Sequence, residues 1–165
     1  SFLEFSVPMV TNRGQIDAVY FDMSKAFDRV DHTLFLCKLS SYVICPKLCE
    51  WFRSYLSLRS NTVRAGNSFS KCFTSTSGVP QGSNLGPLLF ILFVNDIVSC
   101  VNHSNILHFA DDIKLFLNVK DHTDCTLLQT DIGAISKWFR KKLLSLNPDK
   151  TKVIFFFVER TGHFF

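Results

Sequence analysis

Residues 105–119, NILHFADDIKLFLNV, place two adjacent aspartates, Asp111 and Asp112, between two runs of β-forming apolar residues. The pattern reads as a β-hairpin with a carboxylate pair at its tip. Adjacent carboxylates repel, and burying even one costs several kcal/mol unless it is paired or bound to a metal. Asp also favours turns, so a bare Asp-Asp pair alone is ordinary turn chemistry. The neighbouring segments decide between these readings.

Residues 17–22, DAVYFD, read as a strand entering from the polar turn TNRGQ. Residues 31–43 read as a helix with Asp31 as its N-cap, and CEWFRSYL continues in helical style. NTVRAG and SKCFTSTSG read as two short strands around a Gly66-Asn67 turn. A second helix follows GVPQGSNLG and runs to about Val98. Asn84 or Gly86 would cap it, Pro87 would sit in its first turn, and Leu88 and Leu92 would be core positions. Asn95 and Asp96 cap its end or pack. Residues 124–141 form an amphipathic helix with Leu128, Ile132, Ile135 and Phe139 on one face. NPDK is a turn and TKVIFFFV a strand. The order implies an α+β fold, an antiparallel sheet with helices packed on one face, in a single domain over 1–165.

A chain of 165 residues that is 47% hydrophobic with 18 Phe can build a core and is not disordered. The longest apolar run, PLLFILFV, is far too short to span a bilayer, so no membrane role is expected. The N-terminus lacks the basic region of a signal peptide. The start at Ser1 suggests a piece of something longer. Six cysteines without a CxxC pair read as reduced, buried thiols of an intracellular protein. The histidines, His32, His103, His108, His122 and His163, share no ligand spacing and read as structural or surface residues. Residues 137–160 carry seven basic side chains and two acidic ones within a net charge of +4. Such a segment suits phosphates, or a solvated helix face and loop.

Asp22 ends the first predicted strand. If that strand lies beside the hairpin, Asp22, Asp111 and Asp112 converge. Such a cluster is costly without cations, and Mg²⁺ prefers hard oxygen ligands. Two ions roughly 3.5–4 Å apart would suit a phosphoryl transfer.

AVYFDMSKAFDRVDH, SGVPQGSNLGPLLFILFVNDI, FADD and WFRKKLLSLNPDKTKVIFF together resemble, in order, the palm motifs of reverse transcriptases. More narrowly they resemble the enzymes of non-LTR retrotransposons, LINE-like and Jockey-type. The resemblance covers nearly the whole chain, and its second motif is long and specific. It implies a polymerase palm lacking most of the fingers and the thumb, and RNA-directed DNA polymerisation. By the same resemblance Asp22 and Asp111 are metal-binding aspartates, the Met23 carbonyl completes the metal shell, and Asp112 is the supporting acid. Two Mg²⁺ ions, or Mn²⁺ in their place, are the implied cofactors. Phe27 matches the bulky gate against a ribose 2′-OH. The backbone N–H groups of Lys25 and Ala26 match the triphosphate cradle. Gln81 and Gly82 match the contact with the incoming nucleotide and template base. Lys150 matches the lysine that protonates pyrophosphate, with Lys152 a rival two residues on.

The implied partners are an RNA template, a DNA primer, dNTPs and the rest of a retrotransposon polyprotein, including an endonuclease. The implied compartment is intracellular, the nucleus at the point of action or else the cytoplasm. Phe109 stands where many relatives have Tyr, which keeps the ring. Other two-metal enzymes on a similar palm, a nucleotide cyclase or a nuclease, need neither a template motif nor a 2′-OH filter. An inactive retroelement remnant that at most binds nucleic acid is the remaining alternative.

Overall fold

The computed structural model describes residues 2–12 and 14–157. Arg13 of the TNRGQ turn, and Val158, Arg160 and His163, which the sequence reading places in the last strand, the basic segment and the histidine set, lie outside the described residues. The chain divides into two compact units. The first takes Ser1–Ser24, Asp96–Arg140 and Leu146–Phe165; the second takes Lys25–Asn95 and Lys141–Ser145.

The first unit contains helix α1 (Phe2–Thr11), strands β1 (Gln15–Phe21), β6 (Asn105–Phe109), β7 (Asp112–Val119) and β8 (Lys152–Phe156), and helix α5 (His122–Lys141) up to its last residue. Its strands form one antiparallel sheet in the order β6-β7-β1-β8. Side chains alternate between faces along a strand. On one face Ile16, Ala18 and Phe116 are buried, and Phe2, Phe5 and Val10 of α1 pack against them. The Phe2 and Phe5 rings meet Phe116 edge-on at 5.0 and 5.1 Å, a favoured aromatic geometry. The alternate positions Val19, Phe21, Ile113 and Leu115 are buried too. The sequence reading has no α1, because Pro8 interrupts its short apolar pattern.

Helix α5 starts two residues before the expected position. Asp121 caps it, accepting from the N–H groups of Thr123 and Asp124, while Asp124 accepts from Lys120 N–H. These reciprocal bonds satisfy free donors of the first turn. The buried face of α5 comprises Leu128, Asp131, Ile135, Trp138 and Phe139. Asp131 was hidden from a hydrophobicity pattern because it is charged, yet it is fully buried. Its carboxylate accepts from the N–H groups of Asn102, His103 and Ser104 at 2.7–3.1 Å. Burial pushes this carboxyl up, but the three backbone donors outweigh it and hold its pKa below the ordinary value.

The second unit contains α2 (His32–Ser41), α3 (Pro46–Leu56), the short strands β2 (Arg59–Asn61), β3 (Arg64–Ala65), β4 (Ser68–Phe69) and β5 (Phe73–Ser75), and α4 (Gly86–Val94). Asp31 caps α2 as expected, accepting from Leu34 N–H at 2.8 Å. β3 and β4 pair around Gly66-Asn67, and β2 pairs with β5 outside them. Phe35 of α2 contacts Phe52 of α3 and Phe93 of α4 edge-on. The Lys38 ammonium donates to the Phe93 carbonyl at 2.7 Å. A cation suits that carbonyl-rich helix end.

Three expectations are corrected here. The N-cap position of α4 is Leu85, without a side-chain bond, so neither Asn84 nor Gly86 caps it. Instead Ser83 Oγ accepts from Gly86 N–H at 2.9 Å and donates to the Pro80 carbonyl. Leu88 is 48% exposed and Leu92 half-buried. The inward positions are Leu89, Phe90, Phe93 and Val94, two pairs at four-residue spacing on one side of the helix. The cysteines form no disulfide, but none is buried: Cys37, Cys45, Cys72 and Cys125 are exposed, Cys49 and Cys100 partly so. The Phe and Leu residues take the interior instead. Among the described residues, no helix is long and apolar enough to cross a membrane.

Candidate active site

The last paired residues of β1 and β7 are Phe21 and Ile113. Asp22 therefore leaves β1 where Asp112 enters β7, and the two stand at the same end of the sheet. Asp112 pairs with Phe109 across the hairpin, so Ala110 and Asp111 form its two-residue turn. Ala110 has φ +53°, a left-handed conformation that favours glycine. Two-residue hairpins demand such a φ because it matches the twist of the strands. Strain of this kind, about 1–2 kcal/mol, collects at functional sites. His108 Nε2 lies 2.6 Å from the Ala110 carbonyl and helps hold the turn.

A turn before β8 completes this end of the sheet. Leu146 bridges Met23, and Asn147 N–H donates to the Asp22 carbonyl at 2.8 Å. The Lys150 ammonium lies 3.9 Å from Asp22 Oδ2. Lys152 turns back and donates to the Asp149 carbonyl. The two lysines thus differ in partner. A cavity of about 550 Å³ opens here, lined by Tyr20, Asp22, Phe109, Asp112, Lys114 and Lys150 among others. Lys114 Nζ sits 3.9 and 4.3 Å from the Phe2 and Tyr20 ring centres.

Asp22, Met23, Asp111, Asp112 and Lys150 all belong to this unit. Carboxylates with a backbone carbonyl are the hard oxygen donors that Mg²⁺ takes, so the donor chemistry fits the expected ion. Among the described residues, however, no three His, Cys, Asp or Glu side chains are arranged to hold a metal ion.

Lys25, Ala26, Phe27, Gln81 and Gly82 belong to the second unit. Lys25 has φ +52°, and Ala26 follows in helical conformation at φ −49°, ψ −52°. Successive residues of this alternating kind form a nest of N–H groups that suits an anion. Phe27 is half-buried and stacks on Phe90 at 4.6 Å. Gln81 Nε2 donates to Asp28 Oδ1 at 3.0 Å, and Gly82 takes φ +76° in open space.

Gly78 is a residue that sequence reasoning missed. Its N–H donates to the Val30 carbonyl, and Val79 N–H donates to the Phe27 carbonyl. A Cβ on Gly78 would lie 2.8 Å from Asp28 Cα. The glycine thus lets the GVPQG loop lie flat on the segment after Phe27. Its signal was its place in SGVPQG, where only Gln81 and Gly82 drew attention.

The fold is that of a polymerase palm. A telomerase from Candida tropicalis, solved with a TWJ fragment of telomeric RNA, superposes with a TM-score of 0.70 at 17% identity, over 93% of this chain and 28% of that one. The apo telomerase from the same organism, truncated of its C-terminal domain, gives 0.66 at 16% identity, over 98% and 34%. At such identity the likeness speaks to the fold. The chain belongs to the reverse transcriptase (RNA-dependent DNA polymerase) family, whose profile matches residues 9–164. Its relatives are polymerases of non-LTR retrotransposons. The probable RNA-directed DNA polymerase from transposon BS of Drosophila melanogaster is 34% identical over 82% of this chain. The RNA-directed DNA polymerase from mobile element jockey of the same organism is 29% identical over 97%. The chain spans 16% and 18% of the length of these two relatives.

Proposed function

We propose that this chain supplies the palm of an RNA-directed DNA polymerase that copies a retrotransposon RNA onto a DNA primer. The fingers, thumb and endonuclease would come from the remaining polypeptide, and the reaction would take place in the nucleus. The observation that carries this reading is the gathering of Asp22, the Asp111-Asp112 hairpin tip and Lys150 at one end of a palm sheet.

In this reading Asp22 and Asp111, with the Met23 carbonyl, would hold two divalent cations, and Asp112 adds negative charge beside them. Mg²⁺ or Mn²⁺ would supply activation of the primer 3′-OH and neutralisation of phosphate charge. The Lys150 ammonium would give a proton to the departing pyrophosphate oxygen. The N–H groups of Lys25 and Ala26 would hold triphosphate oxygens. Rigid backbone donors suit that task because they need no reorganisation. The Phe27 ring would exclude a ribose 2′-OH by bulk, and Gln81 with Gly82 would meet the nucleotide and the template base.

The test is primer extension by the full-length polypeptide on matched RNA and DNA templates with Mg²⁺. DNA synthesis on RNA is the expected result. No extension on either template, from folded protein, would sink the reading and leave a remnant that at most binds nucleic acid.

A further inference from the structure

Between Glu50 and Asp96 the sequence has no acidic residue, while Arg53, Arg59, Arg64 and Lys71 are basic. The β2–β5 and β3–β4 ladders lie inside this run and display aromatic rings. Phe69 is 66% and Phe73 50% exposed. The Arg64 guanidinium sits 5.6 Å from the Phe69 ring centre. A core has no use for an exposed ring on a two-stranded ribbon.

Next to the ribbon, within the same unit, is a cavity of about 610 Å³. Arg59, Asn61 and Phe73 line it on the strand side, Gln81 on the side of the GVPQG loop. The stretch Thr74, Ser75, Thr76 and Ser77 adds hydroxyls along its wall. One Arg59 nitrogen donates to the Gly78 carbonyl at 2.9 Å, while its buried Nε has no hydrogen-bond partner. The carboxylate in the lining is Asp28, whose Oδ1 already accepts from Gln81.

Single-stranded nucleic acid is bound by stacking platforms set beside positive charge, and stacking needs unpaired bases. We propose that this cavity and ribbon form a subsite for the single-stranded template RNA that has yet to be copied. A template base would stack on Phe73, and backbone phosphates would run toward Arg64 and Lys71. The inference rests on the proposed polymerase reading, in which Gln81 meets the template base. It extends that contact to the nucleotides beyond.

The test measures binding, so it does not depend on turnover. The full-length polypeptide is titrated by fluorescence anisotropy against a labelled RNA–DNA hybrid, blunt or with RNA 5′ overhangs of lengths up to about six nucleotides, a span within one single-strand site. The parent should bind more tightly as the overhang grows. Phe73→Ala should weaken binding of the overhang hybrid by about fivefold or more and leave the blunt hybrid unchanged. Phe73→Trp should keep the overhang preference. The Arg64→Gln/Lys71→Gln pair should lower the salt slope by about 1.4, about 0.7 for each lost phosphate contact. Equal binding of overhang and blunt hybrids by the parent overturns the subsite. So does a Phe73→Ala variant that matches the parent, or one that weakens on both hybrids alike. Primer extension by the parent, run in parallel, separates the two readings. Overhang preference without extension sinks only the polymerase, and extension without overhang preference sinks only the subsite.

Discussion

The Lys150 ammonium stands 3.9 Å from Asp22 Oδ2, while Lys152, the first residue of β8, bonds back to the carbonyl of Asp149. The Lys150 side chain is exposed and that of Asp22 partly so, and the contact is long, so it is worth little as stability. Its interest is chemical. Lys150→Met should lower kcat for nucleotide incorporation roughly 100-fold, the usual contribution of a general acid. Lys152→Met should stay within a few-fold of the parent. Single-turnover incorporation measures both, and the reverse ranking would assign the proton to Lys152.

Asp111→Asn should abolish extension and leave the fold intact. The residue occupies the two-residue hairpin turn and is only half-buried, so little packing is disturbed. The change removes one negative charge with almost no change of shape. Circular dichroism and primer extension, read together, test this. Near-parental extension with Mg²⁺ would show that Asp111 is not a ligand.

Phe27→Ala should admit ribonucleotides. The ring stacks on Phe90, so its loss costs stability as well, roughly 3 kcal/mol. Folding is checked first. Then kcat/KM is compared for a dNTP and the matching rNTP, since discrimination is the ratio of the two. The rNTP value should rise most. A folded variant that rejects rNTPs as its parent does would make Phe27 ordinary packing.

Asp131 should make the first unit sensitive to acid. Its folded pKa is held below the ordinary value, so its contribution is fully present above the unfolded pKa of about 4. That contribution fades as pH falls through the folded value. Asp131→Asn keeps one oxygen for three N–H donors and should cost about 1–3 kcal/mol at pH 7. Urea melts at pH 7 and pH 3 should show the gap between parent and variant narrowing in acid. A gap that stays constant would deny the carboxylate its charge-dependent role.

Gly78→Ala should be more damaging than Gly82→Ala. Both have left-handed φ, but only Gly78 faces backbone at 2.8–2.9 Å, and Gly82 faces open space. Conformational strain alone costs about 1 kcal/mol, and the clash adds to it. Equal shifts in urea midpoint would mean that Gly78 gains nothing from lying close to Asp28.

The hairpin, the Asp31-capped helix and the long apolar face of α5 were legible because each follows a local rule of period, cap or turn. Motifs singled out the candidate residues, and of these Asp22 and the hairpin stand at one sheet end as expected. Local rules could not reveal Asp131, whose partners lie 27–29 residues away. They could not reveal Gly78, whose constraint is a backbone from a distant segment. They could not separate Lys150 from Lys152, because Lys150 lies in the turn and Lys152 in β8, so strand periodicity does not relate the two. The outward cysteines and Leu88 show the opposite limit. Composition says how much apolar surface exists, and not which residues lose the competition for the interior.

Strand β1 carries Asp22 at its end, and its partners arrive late. Ile16 pairs with Asn118 on one side and with Phe156 on the other, so the closures span about 100 and 140 residues. Contacts this distant in sequence must overcome loop entropy before they reward the chain, which slows folding. On a ribosome the strand would wait, with its apolar residues unmatched, while the 130 residues between β1 and β8 are made. The acidic end of the sheet is therefore completed only once β8, the last strand of that sheet in chain order, has emerged. Any truncation before β8 leaves β1 with an open edge, a ready template for aggregation.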